Sequence, residues 1–223
     1  MTENKSIVKS KIEAVIFDLD GVIVNTAIYH YLSWKKLADE LGILFDKKIN
    51  EKLKGVDRLS SLEIILKNSK IQYTPAQKHE FTTLKNRYYR QYLEQLTHEE
   101  LLPGVAQALK DIKERGLKIG LASASKNVFE VIDKLQIRDQ FNAISDANKI
   151  RFNKPHPEIF LTTAEMLAVS PQECIGVEDS QAGIKAVKMA DMYAVGIGAP
   201  LILNEADDVI PTMEAFSIEK YLS

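Results

Sequence analysis

Short apolar runs that end in acidic or hydroxyl side chains recur along this chain. Glu13-Ala-Val-Ile-Phe-Asp18 is rich in β-branched and aromatic residues and closes on an acid followed shortly by glycine. That pattern predicts a buried parallel strand delivering Asp18 to its carboxyl end. Similar runs stand at Leu117-Lys-Ile-Gly-Leu-Ala-Ser123, Cys174-Ile-Gly-Val-Glu-Asp179 and Tyr193-Ala-Val-Gly-Ile197. Between them lie amphipathic segments of helical length: Val105 to Arg115 (stopped by Gly116), Asn127 to Leu135 (with Ser125 placed to cap it), Pro157 to Leu167, and Ala182 to Ala190. Strands alternating with helices predict an α/β fold, a doubly wound parallel sheet of Rossmann type with ligands beyond the carboxyl ends of its strands.

Residues 26–100 follow a different period. Ile28, Tyr31, Trp34, Leu37, Ala38 and Leu41 keep helical spacing, as do Leu62, Ile65 and Leu66, and then Phe81, Leu84, Tyr88, Tyr92 and Leu96. No buried strand is predicted there. The expected organisation is an α/β core of residues 1–25 and 101–223 with a helical cap domain, 26–100, inserted after the first strand. Two chain crossings between the units would allow a hinge.

With 223 residues the chain can bury one sizeable core plus a small second unit. A formal charge of −2 gives no general pull toward nucleic acid or anionic lipid, and neither is expected as a partner. The single cysteine, Cys174, lies in an apolar run and excludes an intramolecular disulfide; a buried, inert thiol is expected. Met1 to Lys11 is polar and does not read as a secretory signal, and no apolar stretch is long enough to span a bilayer. A cytoplasmic monomer is expected.

Candidate chemistry concentrates at the predicted strand ends. In Asp18-Leu19-Asp20-Gly21-Val22, carboxylates two residues apart can enter one pocket while Leu19 faces inward; a cation or a shared proton should accompany them. Ser123 and Ser125 could hold phosphate oxygens. Lys154, before Pro155, could place a fixed positive charge at an anionic oxygen. Glu178-Asp179 offers hard oxygen donors of the kind magnesium takes. Each has an ordinary structural use as well: Asp-Gly as a turn, Ser125 as a cap, Lys154 as solvated surface, Asp179 as a turn residue. Their occurrence together at successive strand ends favours a site.

Taken together, Asp18-x-Asp20-Gly21, Ser123, Lys154-Pro155 and Glu178-Asp179-Ser180 resemble the four motifs of the haloacid dehalogenase superfamily, from about Ala14 to Gly198. Asp20, two residues beyond the nucleophile position, places the resemblance in the phosphatase and phosphomutase branch rather than among dehalogenases. Within it, Phe17-Asp-Leu-Asp-Gly-Val-Ile23, Thr26-Ala-x-Tyr-His30, Trp34, Leu53-Lys-Gly-Val56 with Arg58, Leu121-Ala-Ser-Ala-Ser-Lys-Asn127 and Gly176-x-Glu-Asp-Ser-Gln-Ala-Gly-Ile184 are similar to the β-phosphoglucomutase-like family. Three positions depart from the family pattern: Asn25 where aspartate is usual, Asp57 where serine is frequent, and Asn153 before the motif lysine.

The resemblance implies a nucleophilic Asp18, an acid/base Asp20, and Lys154 and Ser123 on the transferring oxygens. It implies Mg²⁺ held by Asp18, the Asp20 backbone carbonyl and Asp179, with Glu178 close by. Substrate binding is implied for Thr26, His30, Trp34, Lys54, Gly55, Val56, Arg58, Lys85, Ala124, Ser125, Lys126 and Asn127. Read from the sequence alone, an ordinary helix-surface or interface histidine is the better account of His30, while Arg58 is equally at home as a surface charge. The implied reaction interconverts β-D-glucose 1-phosphate and glucose 6-phosphate through β-D-glucose 1,6-bisphosphate. Two alternatives stand beside it: a sugar-phosphate phosphatase sharing every core motif, and a silent phosphate-binding protein. The latter has no need of both Asp18 and Asp20.

Overall fold

The structure is a computed structural model, and it describes residues 11–53 and 56–222. Six strands form one parallel sheet: β1 (Ala14–Phe17), β2 (Lys118–Leu121), β3 (Ala143–Ile144), β4 (Cys174–Glu178), β5 (Tyr193–Ile197) and β6 (Asp208–Ile210). Their spatial order is β3-β2-β1-β4-β5-β6. The order reverses between β1 and β4, which pair from Ala14↔Cys174 to Phe17↔Val177. A parallel sheet opens its ligand crevice at such a reversal. The acids that follow β1 and β4 therefore meet there.

Strand β1 is buried on both faces, as its unbroken apolar run requires. Val15 and Phe17 join one layer with α5 (Val105–Glu114) and α6 (Val128–Lys134). Ala14 and Ile16 join the other with α7 (Glu158–Leu167) and α8 (Gln181–Met189). Helix α5 ends as expected, with Gly116 at φ +72° just beyond it, a conformation open to glycine at little cost. Cys174 is fully buried, and burial pushes its thiol up to about 12. No described helix is long and apolar enough to cross a membrane.

Between β1 and α5 the chain builds α1 (Ala27–Glu40), α2 (Lys47–Glu51), α3 (Arg58–Leu66) and α4 (Pro75–Leu93). Trp34, Leu37, Ala38, Phe45, Leu62 and Ile65 form a cluster of their own there. The outgoing and returning chains run side by side: Leu102 N–H donates to Ile23 O at 2.9 Å, and Val24 bridges Leu101. Thr74 and Gln77 close a reciprocal capping box at the start of α4.

Three sequence expectations need correction. On α4 the fully buried positions are Lys85, Tyr89 and Leu93, one position away from the expected Phe81, Leu84, Tyr88, Tyr92 stripe. Of that stripe, Phe81 and Leu84 pack only partly buried against the helical cluster; Leu96 is buried beyond the helix end. A buried lysine interrupts the true apolar stripe, so the neighbouring one looked stronger. Ile28 is half exposed and takes no part in the α1 core. Ser125 is not the cap of α6; Asn127 holds that position without a side-chain cap bond, and Ser125 Oγ instead accepts the Asn127 N–H at 3.3 Å.

Candidate active site

Asp18 follows β1 directly and is buried; the intervening Leu19 turns fully inward, and Asp20 is half-buried. Lys154 reaches over from the loop before α7. Its Nζ donates to Asp18 Oδ1 at 2.6 Å, to Glu178 Oε1 at 2.6 Å and to Ala122 O at 3.0 Å. One ammonium thus ties together the ends of β1, β2 and β4. Burial opposes the Lys154 charge, but Asp18 and Glu178 outweigh it and hold its pKa above the ordinary lysine value. Burial is also the largest influence on Asp18 and pushes its carboxyl up, with Lys154 pulling the other way.

Asp20 sits in different surroundings. The Thr26 hydroxyl donates to Asp20 Oδ1. Burial raises the Asp20 carboxyl above its ordinary range, against that hydroxyl and the Lys154 and Lys85 charges. The two carboxylates therefore have separate partners, the arrangement by which neighbouring acids divide nucleophilic and proton-transfer work.

Glu178 is spent on positioning. Besides Lys154, it accepts from the N–H groups of Asp179 and Ser180 at 3.0 and 3.1 Å and from the Ser180 hydroxyl at 3.0 Å. Ser180 in turn caps α8 through Gly183 N–H at 3.0 Å. Oxygens of Asp18, Glu178 and Asp179 lie within 4.8 Å of one another, a hard anionic donor set suited to magnesium. Gly21 shapes this set. It sits at φ +80°, and a Cβ there would stand 2.0 Å from Asp179 Oδ2, so any side chain would displace that carboxylate. The residues present fit a divalent cation.

After β2, Ser123 is buried and its Oγ accepts Ser125 N–H at 3.1 Å, curling 123–127 into a loop beside Asp18. Ala124 and Lys126 are exposed on it, while Ser125 and Asn127 are half-buried. Asn127 Nδ2 donates to Asn86 Oδ1 on α4 at 3.0 Å, and Arg90 pairs with Glu130 at 2.8 Å, so α4 is bonded across to α6 and the loop before it.

On the helical side, Lys85 Nζ lies 2.9 Å from His30 Nδ1 and 5.0 Å from the centre of the Trp34 ring. Lys85 and Trp34 are buried, Thr26 fully so, and Arg58 is half-buried near His30. Val56 is exposed, and Lys54 and Gly55 lie outside the described residues. Asp57 caps α3 by accepting Leu59 and Ser60 N–H at 3.0 and 3.1 Å. A serine can do the same work, which gives this departure a structural reason. Tyr89 was missed in the sequence, although it stands one helical turn beyond Lys85.

Burial, reinforced by the Lys85 and Arg58 charges, holds His30 well below its ordinary pKa, so the fold keeps the imidazole neutral. From about 6.5 down to that lower value the unfolded chain binds the extra proton, and stability falls as pH falls. Replacing His30 with glutamine should flatten the decline of melting temperature between about pH 7 and pH 5. An equally steep decline in the variant would show that the imidazole is not held neutral.

The model of the haloacid dehalogenase-like hydrolase family matches residues 12–191. The chain is 46% identical to the beta-phosphoglucomutase of Bacillus subtilis, over 93% of this chain and 92% of that protein. A phosphorylated carbohydrates phosphatase of Thermotoga maritima is 28% identical over 82% of this chain and 83% of its own length. The crystal structure of beta-phosphoglucomutase from Clostridium difficile superposes with a TM-score of 0.89 at 46% identity, covering 94% of this chain and 95% of that one.

Proposed function

The chain belongs to the haloacid dehalogenase-like hydrolase family, and on that premise we propose that it is a phosphomutase interconverting β-D-glucose 1-phosphate and glucose 6-phosphate. The observation that carries a transfer chemistry is the division of two neighbouring carboxylates, Asp18 bonded to Lys154 and Asp20 to Thr26. The resemblance to beta-phosphoglucomutases over nearly the whole chain supports the sugar.

A phosphomonoester repels nucleophiles by its own charge, so a site must neutralise that charge and align the attack. Asp18 attacks phosphorus and becomes an aspartyl phosphate, dividing one hard transfer into two. Lys154 and Ser123 hold the transferring oxygens, a contribution of about 3–4 kcal/mol for a key donor. Asp20 protonates the departing oxygen in one half-reaction and deprotonates the incoming hydroxyl in the other, worth about 10²–10⁴ in rate. Magnesium would be held by Asp18, Asp179 and the Asp20 backbone carbonyl, with Glu178 fixing their surroundings; when bound it would supply positive charge that offsets the repulsion of the two anions.

Residues 26–100 act as a cap in this reading. Arg58 takes the distal phosphate through its planar fork. His30, Lys85 and Trp34 face the sugar, with the 123–127 loop completing the pocket. The β-D-glucose 1,6-bisphosphate formed midway must turn around, so the cap opens and closes between the half-reactions.

The same core would serve a phosphatase; the difference is whether water or a sugar hydroxyl reaches the phosphoaspartate. Supplying β-glucose 1-phosphate, magnesium and a trace of the bisphosphate should yield glucose 6-phosphate with little free phosphate. Release of phosphate with little isomerised sugar would reject the mutase in favour of the phosphatase.

A further inference from the structure

We propose that Tyr89 is a positioning residue for the acid/base carboxylate of Asp20, acting through Thr26. The inference rests on the acid/base role given to Asp20 above. Tyr89 belongs to α4 and is fully buried. Its hydroxyl donates to Thr26 Oγ1 at 3.2 Å, and Thr26 Oγ1 donates to Asp20 Oδ1. A threonine hydroxyl has a single proton. Once a phenol occupies one of its lone pairs, the rotor is biased to send that proton to the carboxylate. The three groups come from three places in the chain: the loop after β1, the outgoing crossing and the last long helix of the insertion.

A second observation singles out the Thr26 hydroxyl. Thr26 stands at the N-cap of α1, where threonine ordinarily accepts a backbone N–H two or three residues on. Here it makes no such bond, and its φ and ψ, −87° and 3°, depart from the extended values of a capping residue. The Ala27 N–H at the start of the helix goes instead to Asn25 Oδ1 at 3.2 Å, and the Thr26 hydroxyl is committed to the line from Tyr89 to Asp20. The Tyr89 ring is fixed in turn by His30, with ring centres 4.2 Å apart, and by Lys85 Nζ, 4.9 Å from its centre. These are cap residues already assigned to the sugar's side of the pocket.

The test uses Tyr89→Phe, Thr26→Val and the double variant, with kcat, KM and melting temperature measured for each. Phenylalanine keeps the ring and its packing, so a merely structural Tyr89 would leave kcat unchanged. The positioning role lowers kcat about tenfold, the worth of one oriented hydrogen bond, with KM little altered. The double variant should be no slower than Thr26→Val alone, since both lie on one line of bonds. Wild-type kcat in Tyr89→Phe, or losses that multiply as if independent, would overturn the proposal. Asp20→Asn is measured in parallel. Near-normal turnover there would bring down the acid/base assignment itself, whereas a slow Asp20→Asn beside an unaffected Tyr89→Phe removes only the role of Tyr89.

Discussion

Asp18→Asn should abolish turnover, by at least about 10⁴-fold, because an amide cannot form the covalent phosphoenzyme on which both half-reactions depend. The substitution is nearly isosteric, and Lys154 retains Glu178 at 2.6 Å and Ala122 O at 3.0 Å. The fold should therefore persist, which separates loss of chemistry from loss of structure. Mass spectrometry of protein quenched during turnover should find a phosphoryl group on Asp18 in the parent and none in the variant. Substantial turnover in Asp18→Asn, or phosphorylation of another side chain, would mean that the nucleophile has been misassigned. The outcome bears on phosphatase and mutase alike, since both would pass through the same aspartyl phosphate.

The parts of this molecule that could be read from its sequence are those where one physical requirement dominates. Strands β1, β4 and β5 are buried on both faces, and their apolar runs announce them. Strands β3 and β6, two and three residues long at the sheet edges, bury too little to leave a run and went unseen. The site followed the same logic. Acids and hydroxyls that terminate apolar runs were legible because a parallel sheet collects its strand ends on one side. The face of α4 was misread because its buried side carries Lys85, a residue whose usual place is in water. Its Nζ lies 2.9 Å from His30 Nδ1 and bears on Asp20, so the pattern failed beside the candidate site. Tyr89 was lost with it. Glu178 is a different case. Its position beside Asp179 suggests a ligand, and its oxygens do stand within 4.8 Å of those of Asp18 and Asp179, but only the three dimensions show that they also hold Lys154 and the start of α8.

Lys154→Met should lower kcat about 10²–10³-fold by removing the charge that meets the transferring oxygens, and it should also reshape stability. The Lys154 side chain is only 6% exposed and is the one described cation bonded to both Asp18 and Glu178. Methionine of similar length leaves these two buried carboxylates facing each other. Breaking a buried ion pair in this way costs about 3–5 kcal/mol. The pH dependence follows from the signs. In the parent, the folded pKa of Lys154 is raised, so its stabilisation is complete below the unfolded lysine value of about 10.4 and does not fade between about pH 5 and pH 8. In the variant, burial and the Glu178 charge raise the folded pKa of Asp18 with no lysine to pull it down. The folded state then holds protons the unfolded chain has released, and stability falls as pH rises above about 4. Denaturant unfolding without metal should show a deficit that widens from about pH 5 to pH 8, and added magnesium should recover more stability in the variant than in the parent. A deficit independent of both pH and magnesium would mean that the lysine merely fills space, and that the carboxylates around it do not share a charged site.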